Sequence, residues 1–324
     1  MLLVLLPGMI DLSVGSGVGL IGGIASVLVF KHHVPAPLAM AIGFLFGIVV
    51  WSLMGKLIVG LRIPAFIITL GGLLVFKGTF WLVIENETVP VSTGTESNLY
   101  SLLTTYYFPK WSSYLLVTLV GAALVVARVR SRSQLRKHGF EVEDGEFTFL
   151  KLFVSLQGLL LVVIVMNQFR GIPLAVVILF ALAFVVYMIT QHTPFGRYLY
   201  AIGDNEEASA LSGIPVKKVI IGAYGILGAI VALTGFMQTA YSGASTTTVG
   251  DLMELDAIAA CVIGGTSLKG GRGTVLGVLF GSLIMTSLLN GMTLLAVSPE
   301  MKFIVRGLVL IAAVWMDVAL SKKT

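Results

Sequence analysis

The stretch HTPFGRYLYAIGDNEEASALSGIPVKKV, residues 192–219, is polar and sits between two of the most apolar segments of the chain, residues 172–190 and 219–240. That alternation decides the fold class. A helix needs about 20 apolar residues to cross a bilayer, and both flanks are of that order, so the polar stretch reads as a loop outside the membrane. Its residues favour a short helix over a slack tether. Asp204 or Asn205 can cap the free amides of a first turn, and Glu206 and Glu207 then sit at the positive end of the helix dipole. Ala208, Ala210 and Leu211 supply a small apolar stripe, Gly213 a stop, and Pro215 follows it. The expectation is one short amphipathic helix with a close-approach surface, of the kind that enters a groove on a soluble partner. The same residues describe an ordinary capped connector helix equally well.

Composition extends this reading to the whole chain. Of 324 residues, 57% are hydrophobic and only 11% charged, with a mean hydropathy of +0.99, which excludes an ordinary soluble domain. One cysteine, Cys261, lies in an apolar run, so no disulfide within the chain is possible and helix packing must hold the fold. The net charge of +5 reflects loops on the cytoplasmic side and does not argue for nucleic acid. The 37 glycines permit close helix approach and breaks at membrane depth. The opening MLLVLLPGMIDLS lacks the basic start and the cleavage site of a signal peptide.

Apolar segments near residues 2–30, 38–59, 64–84, 113–129, 149–166, 172–190, 219–240, 274–297 and 303–318 predict an all-α, polytopic membrane bundle of about nine to ten spans, some of them broken. Basic residues orient it. The loop from Arg128 to His138 carries Arg130, Arg132, Arg136 and Lys137, and the central loop carries Arg197, Lys217 and Lys218, so both read as cytoplasmic. Two spans separate them, which agrees. The loop from Glu85 to Trp111, with Glu85, Glu87 and Glu96 against Lys110, falls on the external side. At the C-terminus Lys302 and Arg306 precede the last span while Lys322 and Lys323 follow it; the cytoplasmic side is expected for the end.

The first segment contains PGMIDLSVGSGVGLIGG, residues 7–23. A charge at a helix centre costs about 2.5 to 3.5 kcal/mol on insertion scales, so Asp11 should not face lipid. Pro7 and the glycines predict a break there, with Asp11 and Ser13 capping the half-helix that follows. A second stretch, GGTSLKGGRGTVLG at residues 264–277, resembles the first: Gly8, Leu12, Gly15, Gly17, Leu20 and Ser26 coincide with Gly264, Leu268, Gly271, Gly273, Leu276 and Ser282. Paired glycine-broken segments in two halves point to a transporter built from repeats, and glycine-rich helix packing produces the same pattern. Between them ELDAIAAC, residues 254–261, places Glu254 and Asp256 where they fit either a polar path or the headgroup region. Asn290 and Gln238 fit either interhelical hydrogen bonding or a pathway.

Other chemistry is not supported. The string GGTSLKGGRGT has no Gly-Lys-Ser or Gly-Lys-Thr at phosphate-loop spacing and no soluble strand and helix around it. His32, His33, His138 and His192 have no carboxylate or cysteine at ligand spacing, so no metal or other cofactor is expected. Neither is a nucleophile elbow or a catalytic triad, so the chain is not expected to be an enzyme.

Three strings, GMIDLSVGSG near the start, FGRYLYAIGDNEEASALSGIPV in the middle and ELDAIAACVIGGTSLKGGRGT near the end, resemble the membrane permease subunits of bacterial ABC importers for simple sugars, of the ribose, xylose and galactose type. The resemblance covers essentially the whole chain in the same order. It is most similar to the D-xylose permeases, partly through the long basic insertion VRSRSQLRKHGFEVEDGEF, residues 129–147. It implies one transmembrane permease domain over residues 1–324 in the bacterial inner membrane, working as a homodimer within the lipid. Two copies of a cytoplasmic ABC ATPase would lie beneath it and a periplasmic sugar-binding protein above. The cytoplasmic coupling loop at residues 191–218 would meet the ATPase through Gly203, Asp204, Asn205, Glu206, Glu207, Ala208, Leu211, Ser212 and Gly213. Members of that family carry a further N-terminal segment with a first membrane helix before the GMIDLSVGS motif, and that helix is expected to be missing here.

The function expected is ATP-driven translocation of a monosaccharide, D-xylose in the first place, with hydrolysis on a separate chain. A neutral sugar needs hydrogen-bonding and small residues along its path, and Asp11, Ser13, Asp256 and Asn290 are the candidate pathway or gate residues. The alternative is a gradient-driven secondary sugar carrier or facilitator that uses Asp11 or Asp256.

Overall fold

The structure is a computed structural model. It describes residues 1–92, 97–140, 142 and 144–319 in full and the backbone of 320 and 321; Glu96, Glu141, Glu143, Lys322 and Lys323 lie outside the described residues. Helices dominate, in the order α1 (Leu2–Leu5), α2 (Val14–Phe30), α3 (Ala36–Leu61), α4 (Ala65–Ile84), α5 (Leu99–Thr105), α6 (Lys110–Lys137), α7 (Gly145–Phe169), α8 (Leu174–His192), α9 (Pro194–Asp204), α10 (Glu206–Leu211), α11 (Val216–Ser242), α12 (Met253–Ile263), α13 (Val275–Leu294) and α14 (Pro299–Ser321). Two short strands, β1 (Val89–Pro90) and β2 (Ala244–Ser245), pair antiparallel. This is the all-α membrane bundle expected. Among the described residues seven helices are long and apolar enough to span: α3, α4, α6, α7, α8, α11 and α13. The first segment is broken, because α1 ends after one turn and the apolar α2 begins only at Val14. At 11 residues α12 is a half-span of roughly 16 Å.

The chain forms two compact units, Met1–Leu103 with Ala181–Thr324, and Thr104–Phe180. The larger is built on α3 and α11, which run antiparallel, with α2 packed against both and α4 against α2. Lipid tails are as apolar as leucine, so burial of oily surface does not drive helices together in a membrane; close van der Waals fit does. On α3 the buried face carries Ala39, Gly43, Gly47, Trp51, Met54 and Ile58, while Leu45, Val49, Leu53 and Leu57 face outward as a lipid-facing stripe. Gly47 and Gly228 meet backbone to backbone, and a β-carbon on either would press into the other's carbonyl oxygen. That contact sets how closely α3 approaches α11. Tyr100, fully buried, donates from its hydroxyl to the Gly22 carbonyl at 3.0 Å.

At the end of the larger unit that carries β1 and β2, Lys31 pairs with Glu85 at 3.2 Å and Glu87 at 3.1 Å. These carboxylates hold the Lys31 ammonium above its ordinary range, Glu87 contributing most. The smaller unit is a hairpin of α6 and α7, closed at one end where the Phe108 amide donates to the Ile172 carbonyl at 2.9 Å.

Candidate functional site

Residues 192–219 contain two short helices, where the sequence led us to expect one. Thr193 caps α9, accepting from the Gly196 amide at 3.2 Å, with Pro194 preset for the first turn. Asp204 ends that helix and so does not cap the next. Asn205 does: its side-chain oxygen accepts from the Ala208 amide at 2.9 Å and opens α10. An extended Asn205 cannot continue α9, which is why one helix becomes two. Gly213, at φ +85°, stops α10 in the left-handed region that glycine enters freely. Ser209 is the one buried residue of α10; Glu206, Glu207, Ala208, Ala210, Ser212 and Gly213 are exposed and Leu211 is 90% exposed.

This ledge is anchored by the other two motifs. Gly203 lies against the Leu6 carbonyl so closely that any β-carbon would overlap it. The same carbonyl accepts from the Gly271 amide at 2.8 Å. Tyr200 donates its hydroxyl to the Gly273 carbonyl at 2.8 Å, and Gln191 donates to the Tyr200 oxygen at 3.1 Å. Gly8 rests on the Lys269 carbonyl. Three segments, near Leu6, Gly203 and Gly271, thus meet as one knot of backbone at the foot of the larger unit. Beside it lies a groove of about 1050 Å³ bordered by Glu206, Glu207, Ala210, Arg62, Lys217 and Lys218. Arg62, Lys217 and Lys218 gather at this foot beside Glu206 and Glu207.

Asp11 and Ser13 come together, with roles different from the caps expected. The Ser13 side chain accepts no bond from α2. Instead Asp11, fully buried, accepts from the Ser13 amide at 2.7 Å, the Ser13 hydroxyl at 2.6 Å and the Trp51 indole N–H at 3.0 Å. The carboxylate therefore ties the break after α1 to α3 rather than capping α2. The Trp51 ring fits the notch left by Gly17, where no β-carbon would fit. Asp256 pairs with Arg306 of α14 at 3.3 Å, and Asn290 is exposed on α13. Among the described residues no hydrogen bond or ion pair joins either of them to Asp11. Trp51 and Tyr200 escaped the sequence reading as site-building residues, and Gly203 entered it only as part of the loop, because their partners lie far away in the chain and no local pattern announces them.

Residues 1–314 match the family described as branched-chain amino acid transport system, permease component. The chain belongs to this permease family. The permease is 34% identical to the xylose transport system permease protein XylH of Escherichia coli K12, over all of this chain and 81% of the relative. Identity to the protein of the same name from Haemophilus influenzae is 38%, over all of this chain and 85% of that one. The ribose import permease protein RbsC of Escherichia coli K12 is 32% identical over 98% of this permease and 79% of its own length. No solved structure matches the permease. As a member of this family it is a multi-pass protein of the bacterial inner membrane.

Proposed function

We propose that this permease carries a monosaccharide, most closely D-xylose, inward through a homodimer driven by two copies of a cytoplasmic ABC ATPase and fed by a periplasmic sugar-binding protein. The observation that carries the reading is α10, a capped helix on the cytoplasmic face whose residues from Glu206 to Leu211 are exposed except for Ser209. Exposed Leu211 on a rigid, anchored ledge is the anchor a partner groove would bury. The full-length similarity to permeases named for xylose and ribose supports a sugar, and among the full-length matches identity is 34% and 38% to the xylose proteins against 32% to the Escherichia coli ribose protein, the balance on which xylose is proposed.

In this reading ATP-driven closure of the partners pushes on residues 191–218. Gly203, Asp204, Asn205, Ser212 and Gly213 shape the ledge, and Glu206, Glu207, Ala208 and Leu211 meet the ATPase. The backbone knot carries the push to the segment before α2, where Asp11 and Ser13 brace α3. Asp256 and Asn290 are kept as candidate gate residues on α12 and α13.

The test is ATP hydrolysis in proteoliposomes that contain the permease with the ATPase and binding protein encoded beside it. Xylose should stimulate hydrolysis in the native assembly, and deletion of residues 206–211 should abolish stimulation while the permease remains in the membrane. Stimulation that survives the deletion overturns the docking assignment. A stronger response to ribose reassigns the sugar.

A further inference from the structure

Between β2 and α12 the chain re-enters the bilayer without regular structure, and its depth can be read from its neighbours. Helices α2 and α4 run parallel, with Gly72 beside Ser13 and Phe80 packed on Gly19 and Gly23. This sets Lys77 level with Gly17, where the Trp51 ring lies. Counted along α4, Lys77 is roughly 18 Å from the start at Ala65 and about 10 Å from the end at Ile84. It is deep in the hydrocarbon zone. The re-entrant stretch reaches the same depth, since Gly250 touches the backbone of Gly15 and a β-carbon on Gly19 would meet the Val249 carbonyl. Lys77 pairs there with Asp251, their side chains 27% and 42% exposed. Its ammonium lies 5.5 Å from the centre of the Trp81 ring, and the Trp81 N–H donates to the Thr247 carbonyl at 3.2 Å.

Two physical conflicts follow if this face meets lipid. Charged side chains at that depth do not face hydrocarbon, and irregular backbone survives there only inside protein or along water. Yet Lys77, Trp81, Thr248 and Asp251 all reach the surface of the chain. We propose that Lys77, Trp81, Thr248 and Asp251 line a water-filled path whose ligand is a neutral polyhydroxylated molecule of the monosaccharide class. The paired charges cancel, so the site offers hydrogen bonds to hydroxyls without selecting an ion. Trp81, 41% exposed, offers an amphipathic ring for the C–H face of a sugar. The ligand class rests on the sugar-permease reading above. The path itself rests on depth, charge and exposure.

Thiol chemistry tests this in the permease assembled with its ATPase and binding protein. The single native cysteine, Cys261, is buried and gives a low background. Thr248→Cys sits on the proposed path. Val75→Cys lies two residues from Lys77 on the opposite side of α4, where Val75 is 63% exposed. A thiol ionises only where water reaches it, so a charged methanethiosulfonate should modify Thr248→Cys at least about tenfold faster than Val75→Cys. Xylose at saturation should slow the first reaction and leave the second unchanged. Equal, slow reaction at both positions overturns the path, whatever transport shows. Fast reaction at Thr248→Cys that neither xylose nor ribose slows overturns the ligand class alone, and sugar-stimulated hydrolysis in the same vesicles shows separately whether the permease reading stands.

Discussion

Two polar interruptions of this apolar chain, the Asp11 bracket and the α10 ledge, were expected to behave alike, each capping a short helix. They are opposites. Asp11 has no exposed surface and three donors on its carboxylate, drawn from its own turn and from α3. The ledge spends its cap on its own amides and leaves the charges Glu206 and Glu207 in water. In a low-dielectric interior a carboxylate persists only with its partners present, so the bracket is an architectural joint. At an exposed ledge water solvates charge, so its surface is free to be read by another protein.

Substitution should separate the two regions sharply. Asp11→Ala leaves the Trp51 and Ser13 donors buried without an acceptor, each worth about 1 to 3 kcal/mol, so the largest loss is expected here. Thermal unfolding in detergent should show it as a sharp fall in midpoint and in folded yield; a native midpoint would mean the bracket is dispensable. Gly203→Ala comes next, because the new β-carbon must displace the Leu6 carbonyl, an overpacking of about 1 to 3 kcal/mol. The same unfolding experiment measures it, and coupling should fall with stability. Tyr200→Phe removes the bond to the Gly273 carbonyl and the exposed one from Gln191, and should cost about 1 kcal/mol. Leu211→Ala should lie within about 0.5 kcal/mol of native stability, while sugar-stimulated hydrolysis falls severalfold. If Leu211→Ala destabilised the chain as Asp11→Ala does, the contrast between joint and ledge would collapse.

Much of the ledge was legible beforehand. Asn205, Glu206, Glu207 and Gly213 are local signals, acting within a few residues of one another, and the cap and the stop lie where such residues place them. The split into α9 and α10 was not legible, since residues 194–204 are amphipathic enough to form their own helix and Asn205 serves as the end of one and the cap of the next. The bracket was half legible. Charge cost places Asp11 out of lipid, but nothing near it in sequence names Trp51 as its donor. Lys77 and Asp251 were passed over altogether, because Lys77 sits inside an apolar run and its partner is 174 positions away.

The sequence by itself determined a polytopic helical membrane protein, its broken first segment and a capped polar ledge between two membrane-length helices. Each follows from hydrophobic length or residue chemistry within one or two helical turns. Only the tertiary structure decided which polar groups are joints and which are surfaces. That distinction depends on which distant helix lies opposite, and in a membrane the glycine notches at Gly17, Gly47 and Gly203 settle it by letting ring or backbone approach where other residues would hold it off.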